Sequence, residues 1–288
     1  MEHVVRVPPA PTPILGGALE VHGIPAWVDN VVWLIVSKAT GECAAVDGPD
    51  AEATLRYVEA QGYRLTAILN THTHGDHVGI NRDLARRGLL DGLRVFGARQ
   101  RAGEIPGLTD PLDDGDRFAL FGHEVQVMLT EGHIDGHLSY VLGDALFCGD
   151  TLFAAGCGYL FDGPPAKMLD SLTRLAALPD ETRVFCAHEY TEDNLRFAHS
   201  VEPENQALAN RIRETWAIRA RGESTLPSTI GLERATNPFL RSHSAELIRH
   251  VSEAMGRPLA TRLDVFAATR ALKDRKDYKA LGDSTLPL

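Results

Sequence analysis

The sequence Thr71-His72-Thr73-His74-Gly75-Asp76-His77 contains three imidazoles and one carboxylate within six consecutive positions. It directly follows a largely apolar run at residues 65–69, which has the length and composition of a buried strand. Burying histidine and aspartate is costly unless a partner compensates for their lost hydration. Because neutral imidazole and carboxylate are good ligands for zinc, iron and manganese, this stretch predicts a metal site at the end of a strand.

Further candidate ligands follow other apolar runs. His133 comes after residues 125–129, Asp150 after residues 145–148, and His188 after residues 184–187. Loops that follow strands on a rigid scaffold commonly carry the chemistry of a protein. Together with the first cluster they supply five imidazoles and two carboxylates. A structural zinc takes four ligands, so seven candidates suit two ions that share a carboxylate.

The composition is that of an ordinary globular protein, with 44% hydrophobic and 24% charged residues among 288. The net charge of −10 argues against a nucleic-acid surface, and no apolar run is long enough to span a bilayer. Residues 1–13 lack the apolar core of a signal peptide, and the four cysteines form no CxxC pair. We therefore expect a cytoplasmic protein with reduced thiols and no nucleic-acid, membrane or obligate protein partner.

Hydrophobic periodicity predicts alternating strands and helices in the first two thirds of the chain. The predicted strands are residues 31–36, 43–46, 65–69, 125–129, 139–142, 145–148 and 184–187. The predicted helices are residues 51–61, 78–87 and 164–178. Gly143-Asp144 is typical of a tight hairpin turn.

The pattern changes near residue 190. Residues 204–221, 243–255 and 261–276 have helical periodicity, and we expect no strand in this part of the chain. We therefore divide the chain into an α/β catalytic domain at residues 1–189 and a small helical domain at residues 190–288.

Several motifs resemble those of one known family. The stretch at residues 71–77 is similar to the THxHxDH motif of the metallo-β-lactamase superfamily. The segments GDTLFAAGCG at residues 149–158, AHEYT at 187–191 and NPFLR at 237–241 resemble the narrower glyoxalase II, or hydroxyacylglutathione hydrolase, family. The resemblance covers nearly the whole chain. It implies an αββα metallo-β-lactamase sandwich followed by a small C-terminal helical domain that binds glutathione.

The resemblance also implies a ligand set and a reaction. One metal would be held by His72, His74 and His133, the other by Asp76, His77 and His188, with Asp150 bridging both. The ions would be zinc, with iron or manganese as alternatives. A hydroxide between them, with Asp76 and Asp150 as catalytic carboxylates, would hydrolyse S-D-lactoylglutathione to glutathione and D-lactate.

The same resemblance implies residues for the small-molecule glutathione thioester. Lys273 and Lys276 occupy matching positions near the C-terminus, and their spacing places both on one helix face. Tyr190 is expected to hydrogen-bond the peptide backbone of glutathione. After Cys157-Gly158, relatives commonly carry a cation and then an aromatic residue. Here Tyr159 replaces the cation and Phe161 keeps the aromatic ring.

Other functions remain to be compared with this hypothesis. The nearest is a persulfide dioxygenase of the same superfamily, which uses a single iron held by two histidines and one aspartate. The complete second ligand set and the helical tail argue against it. A non-catalytic metal protein predicts a missing ligand, whereas all seven are present. A nucleophilic role for Cys157 is less simple than a tightly packed position beside two glycines.

Overall fold

The apolar run at residues 31–36 lies in a strand that is buried on both faces. In the computed structural model, which describes residues 2–288, this strand is Asn30–Ser37. Successive side chains belong alternately to two hydrophobic cores: Val31, Trp33 and Ile35 to one, and Val32, Leu34 and Val36 to the other. A strand covered on both faces requires a continuous apolar run rather than alternation, which explains the sequence.

The first sheet contains seven strands in chain order. They are β1 Thr12–Ile14, β2 Leu19–Ala26, β3 Asn30–Ser37, β4 Glu42–Val46, β5 Arg64–Leu69, β6 Arg94–Ala98 and β7 Asp110–Leu112. Strands β1 to β4 pair antiparallel, whereas β4 to β7 pair parallel. Parallel neighbours need crossover connections. Helix α1, Glu52–Gln61, joins β4 to β5, and α2, Gly79–Arg86, joins β5 to β6.

The second sheet contains six strands. They are β8 Arg117–Leu120, β9 His123–Leu129, β10 Leu138–Leu142, β11 Ala145–Gly149, β14 Arg183–Cys186 and β15 Ser228–Thr229, in the order β15-β14-β11-β10-β9-β8. The predicted hairpin at Gly143-Asp144 is confirmed, because Leu142 pairs with Ala145 across it. A separate two-stranded hairpin, β12 Leu152–Phe153 and β13 Gly156–Cys157, follows β11.

The two sheets pack face to face, with helices outside them. Trp33 of β3 packs edge-on against Phe185 of β14, with ring centroids 4.9 Å apart, and its indole donates to the Cys186 carbonyl at 2.8 Å. Helices α1 and α2 cover the other face of the first sheet. Helix α3, Pro165–Ala176, packs on the second sheet's side, where Ser171 donates to the Glu131 carbonyl. The predicted αββα sandwich is confirmed.

The C-terminal part is helical. Its helices are α4 Thr191–Val201, α5 Gln206–Ala220, α6 Ile230–Thr236, α7 Ala245–Met255 and α8 Arg262–Arg275. The three helices predicted here are confirmed with ends that differ by one or two residues, whereas α4 and α6 were not predicted. The expectation that this part has no strand is wrong, because β15 pairs with Arg183 and Val184 at the edge of the second sheet. Two residues are too few to show strand periodicity in a sequence.

A buried carboxylate links the helical part to the loop of the β12–β13 hairpin, which follows Asp150. Glu233 of α6 is fully buried and pairs with Arg211 of α5 at 2.6 Å. Its other oxygen accepts the Ala155 backbone N–H at 2.8 Å and an Asn237 side-chain N–H at 3.0 Å. Buried charges persist only where such partners satisfy them, so these contacts fix the loop on the helices. Within residues 2–288, no helix combines the length and apolar character needed to cross a membrane.

Candidate metal centre

The candidate ligands lie just beyond the carboxyl ends of four strands. Strand β5 leads into the stretch at residues 71–77, and β9, β11 and β14 lead to His133, Asp150 and His188. Since β5 belongs to the first sheet and the other three to the second, the ligands converge where one end of the sandwich closes. The structure brings all seven predicted side chains together.

The ligand atoms form two groups of three. In the first, His74 Nδ1 lies 3.0 Å from His72 Nε2 and 2.9 Å from His133 Nε2. In the second, Asp76 Oδ2 lies 3.5 Å from His77 Nε2 and 3.4 Å from His188 Nε2. Each group offers three atoms within the spacing that one ion requires.

Asp150 lies between the two groups. Its Oδ1 is 3.4 Å from His77 Nε2 and 3.5 Å from His188 Nε2. Its Oδ2 is 3.5 Å from His133 Nε2. One carboxylate therefore presents one oxygen to each group, which is the arrangement expected of a bridging ligand.

In three of the ligand histidines, a hydrogen bond from Nδ1 to a neighbouring oxygen determines that Nε2 faces the centre. His77 Nδ1 contacts Asp47 Oδ2 at 3.0 Å, His188 Nδ1 contacts Asp29 Oδ1 at 2.9 Å, and His133 Nδ1 contacts the Tyr159 carbonyl at 2.8 Å. A carbonyl or ionised carboxylate oxygen can only accept, so each Nδ1 carries a proton and donates it. The Nε2 lone pair of each ring is thereby directed to the centre, as in most metal-ligating histidines.

Several supporting residues were missed from the sequence. Asp47 also accepts the backbone N–H and the hydroxyl of Thr71, at 2.8 and 2.7 Å, and so holds the start of the ligand stretch. Its place directly after β4, like that of the ligands after their strands, is the signal in the sequence that could have identified it. Asn30 donates to Asp76 Oδ2 at 3.1 Å. Asn30 and Asp29 lie at a hairpin turn, where nothing in the sequence marked them.

His137 supports the centre without belonging to either ligand group. Its Nε2 accepts the Asp150 backbone N–H at 3.2 Å, and its ring stacks on His72 with centroids 4.8 Å apart. Gly158 permits a similarly close approach, since a Cβ there would lie 2.1 Å from the Asp150 carbonyl oxygen and 2.9 Å from His133 Nδ1. Any larger residue at this position would displace the candidate ligands.

Two atoms of the centre lack the partners that buried polar atoms require. His77 Nε2 and Asp150 Oδ1 are buried, and neither has a hydrogen-bond partner. Leaving such an atom unsatisfied costs about 1–3 kcal/mol, and more for a charged group. Both atoms belong to the convergent ligand groups, so a cation bound there would satisfy them. The residues present therefore fit a divalent metal.

The charges in the centre also favour bound positive charge. Burial lowers the pKa of His72 well below its usual value, which keeps this imidazole neutral and able to ligate. Burial would lower the pKa of His188 as well, but Asp150, Asp29 and Asp76 outweigh it and raise that pKa to about 10. Burial likewise opposes ionisation of Asp76, yet His188 and His77 hold its pKa well below the usual range. The carboxylates thus stabilise a cation at these nitrogens.

A groove of about 540 Å³ adjoins the centre on the side of the helical part. It is lined by Phe153, Cys157, Tyr159, Tyr190, Asp193, Asn194, Arg270, Lys273, Asp274, Lys276, Tyr278 and Lys279. The Tyr190 ring stacks on His188 with centroids 4.7 Å apart, which joins the groove to the centre. Four of the five residues predicted to contact the substrate therefore line one cavity. The fifth, Phe161, packs on His74 with ring centroids 5.1 Å apart.

The groove contains charged residues that the sequence did not single out. Asp193 of α4 contacts Lys273 Nζ at 2.7 Å and Lys279 Nζ at 3.0 Å, and it accepts the Tyr278 hydroxyl at 2.7 Å. Arg270 pairs with Asp274 at 2.7 Å. Lys279 thus supplies a positive charge to the groove. Position 159, where relatives commonly carry a cation, is a tyrosine here and supplies none. Burial lowers the pKa of Lys273 to about 8, even though Asp193 favours its charged form.

Lys276 departs from its predicted geometry. Helix α8 ends at Arg275, and Lys276 follows it in the left-handed conformation with φ of 62°. The expectation that Lys273 and Lys276 share a helix face is therefore wrong, because Lys276 occupies the capping position just beyond the last turn. Both still line the groove. Within residues 2–288, Lys276 forms no ion pair.

Cys157 is unsuited to nucleophilic attack. Burial raises the pKa of its thiol to about 11, which outweighs the opposing charge of Arg270. The Arg270 guanidinium donates to the Cys157 carbonyl at 3.0 Å, so this strand anchors the base of the groove. The simpler interpretation, a tightly packed position, agrees with this environment.

Comparison with known proteins defines the family. The metallo-beta-lactamase superfamily model matches residues 31–188, and the model described as hydroxyacylglutathione hydrolase C-terminus matches residues 189–276. A hydroxyacylglutathione hydrolase of Pseudomonas fluorescens (strain SBW25) is 43% identical over 258 residues, which cover 89% of this chain and 99% of the relative.

Two solved structures illustrate the shared fold. The BLEG-1 B3 metallo-beta-lactamase matches with a TM-score of 0.58 and 21% identity, covering 77% of this chain and 99% of its own. The di-iron-bound form of TTHA1623 matches with a TM-score of 0.50 and 27% identity, covering 73% and 95%. The chain therefore belongs to the metallo-β-lactamase superfamily and, within it, to the hydroxyacylglutathione hydrolase family. The resemblance inferred from the motifs is confirmed, and family and cluster together show the use of a divalent metal.

Replacing Asp150 tests the centre directly. We expect Asp150→Ala to lose most of the bound metal after desalting, because the change removes the oxygens that face both ligand groups. Elemental analysis of the purified protein measures this, with circular dichroism to verify folding. His243→Ala, which changes an exposed histidine outside the centre, should retain the wild-type metal content. An Asp150→Ala protein with undiminished metal would contradict the bridging assignment.

Proposed function

We propose that this protein hydrolyses S-D-lactoylglutathione, a 2-hydroxyacyl thioester, to D-lactate and glutathione. The observation that carries the proposal is the position of the seven convergent ligands directly beside a cationic groove, joined through Tyr190. The relatives named hydroxyacylglutathione hydrolase, at 43–46% identity over most of the chain, support the same reaction.

We propose that the centre holds two divalent ions. His72, His74 and His133 would hold one, Asp76, His77 and His188 the other, and Asp150 would contact both. Such ions, when bound, lower the pKa of water towards neutrality and polarise a carbonyl oxygen. The mixed nitrogen and oxygen set suits zinc, with iron or manganese as alternatives. The di-iron-bound form of the structural neighbour TTHA1623 supports the count of two.

Asp76 is the residue we assign to the attacking water. Its Oδ2 faces His77 and His188, while within residues 2–288 no hydrogen bond uses its Oδ1. Its side chain is also more exposed than that of Asp150, at 29% against 11%. Oδ1 is therefore placed to orient the water by accepting a hydrogen bond from it, while the ions, when bound, would favour loss of its proton. The water oxygen then bonds to the carbonyl carbon, the carbon–sulfur bond breaks, and sulfur leaves as the glutathione thiolate.

The groove is assigned to the glutathione part of the substrate. Glutathione carries two carboxylates, and Lys276, which has no ion-pair partner among residues 2–288, is available to one of them. The Lys273 ammonium group is paired with Asp193. A substrate carboxylate would therefore compete with that aspartate for the ammonium group. Tyr190 and Tyr159 line the groove beside the centre, and the Phe161 ring packs on His74 and His133. The structure thus supports residues 190–288 as the glutathione-binding part and residues 1–189 as the catalytic part.

The proposed reaction is tested with the purified, metal-containing protein. Incubation with S-D-lactoylglutathione should release free thiol, detected with a thiol reagent, together with an equal amount of D-lactate. The alternative of a single-iron persulfide dioxygenase predicts instead that the protein consumes oxygen when supplied with glutathione persulfide. Thiol release without oxygen consumption supports the hydrolase. Oxygen consumption without thioester cleavage would replace the proposal with that alternative.

The pKa of Lys273 predicts that substrate binding in the groove depends on pH. Its ammonium, faced by Asp193, Tyr278, Lys279 and Arg270, has a pKa of about 8 and so loses its charge at a lower pH than an exposed lysine. We expect KM for S-D-lactoylglutathione to rise as pH increases through 8, by about tenfold if one charge-assisted hydrogen bond is lost. Steady-state kinetics between pH 6.5 and 9.5 measure this rise.

Substituting the lysine by arginine isolates its contribution. Lys273→Arg keeps its charge throughout this range, so its KM should stay nearly level above pH 8. Lys38→Arg, which changes an exposed lysine directly after β3, is the matched control and should follow the wild-type profile. A rise in KM that is identical in wild type and Lys273→Arg would remove Lys273 from substrate binding.

A further inference from the structure

A second cleft adjoins the metal centre and shares no lining residue with the groove. It has a volume of about 470 Å³, and Trp27, Gly75, Asp76 and Arg82 are among the residues that line it. It reaches the centre at Asp76, whereas the groove reaches it at Tyr190 and His188. Two separate cavities therefore adjoin the centre at different residues.

Trp27 forms a fixed wall of this cleft. It lies at the turn between β2 and β3, is 55% exposed, and adopts a φ of 51°. The left-handed region is unfavourable for a bulky residue, and such strain persists where surrounding contacts hold it. Here the indole Nε1 donates to Asp50 Oδ2 at 2.7 Å, which holds the ring in place. A large apolar surface is thus kept exposed beside the centre, where a ligand can cover it.

Arg82 is an unpaired cation in the same cleft. Within residues 2–288, its side chain forms no hydrogen bond or ion pair, whereas its neighbour Arg86 pairs with Asp83. A Cβ built on Gly75 would lie 3.6 Å from an Arg82 guanidinium nitrogen, so the charge lies beside the ligand stretch. A cation in this position is available to an anionic group that extends past the centre.

The size of the cleft exceeds the needs of a lactoyl group. A thioester with its sulfur side in the groove and its carbonyl at the centre would direct its acyl chain away from the groove, and the cleft is a second cavity that adjoins the centre. Beyond the carbonyl, lactoyl has only one carbon bearing a methyl and a hydroxyl, which fills a small part of 470 Å³. We propose that this cleft binds the acyl chain and that Arg82 favours acyl groups ending in a carboxylate, with Trp27 covering their methylene carbons. This inference rests on the proposed thioester hydrolysis and adds the acyl class that it prefers.

The experiment compares two acyl groups of equal length. S-Succinylglutathione and S-butanoylglutathione differ only in a terminal carboxylate or methyl group, and the metal-containing enzyme is assayed with each. We expect Arg82→Ala to lower the succinyl-to-butanoyl ratio of kcat/KM by about three- to tenfold, in the range of one partly exposed ion pair or charged hydrogen bond. Arg82→Lys should keep part of the preference. Trp27→Ala should lower kcat/KM for both substrates, because both present the same methylene carbons.

A matched control and a third substrate separate the possible results. Arg87→Ala removes a cation that directly follows the same helix but lies outside the cleft, and its ratio should equal that of the wild type. A ratio unchanged in Arg82→Ala would overturn the acyl assignment while leaving thioester hydrolysis standing. Failure of the wild type to cleave S-D-lactoylglutathione, in contrast, would contradict the proposed function itself.

Discussion

The structure depends on the need to compensate buried imidazoles and carboxylates that face one another. His77 Nε2 and Asp150 Oδ1 lie 3.4 Å apart without hydrogen-bond partners, in a part of the chain that water barely reaches. Such a pair is stable only when positive charge lies near it. The carboxylates around His188 raise its pKa to about 10, because their negative charges favour positive charge on the ring or beside it. A bound metal meets this demand at both groups.

The candidate ligands are held in position by hydrogen bonds to their atoms that face away from the centre. Asp47 orients His77 and the start of the ligand stretch, Asp29 orients His188, and the Tyr159 carbonyl orients His133. Glu233 fixes the loop after Asp150 on the helical part. These residues fix which nitrogen each histidine presents, so ligand geometry is set before any ion arrives. The same loop forms the floor of the groove, which couples substrate position to ligand position.

Sequence patterns identified the candidate ligands and seven strands, but they missed the eight-residue strand β2 and the eleven-residue helix α4. The ligand stretch follows β5 directly, and strands buried on both faces, such as β3, appear as continuous apolar runs. Strand β2 was missed because Gly23 and Pro25 interrupt its pattern, and β15 because it has two residues. The contacts of Asp193 with Lys273 and Lys279 join residues 80 or more positions apart, which no local pattern reveals. Lys276 was placed on a helix that ends one residue earlier, a difference within the usual uncertainty of helix ends.

The two cavities described beside the centre differ in the charges they contain. The groove contains cations that are largely paired with Asp193 and Asp274, whereas the cleft at Trp27 contains the unpaired Arg82. A thioester spanning the centre would have its thiol part and its acyl part recognised by different surfaces. Selectivity for the two halves of a substrate can therefore change independently, through α8 on one side and through α2 with the β2–β3 turn on the other.

The most direct test of the central claim is thermal unfolding of the same protein with and without metal. Removing metal with a chelator should lower the midpoint of unfolding by roughly 5–10 °C, because an ion that binds only the folded state contributes several kcal/mol when it is tightly held. Adding back two equivalents of a divalent ion should restore the midpoint. Equal midpoints for the chelated and reloaded protein would contradict the account, since they would show that the buried ligands need no cation.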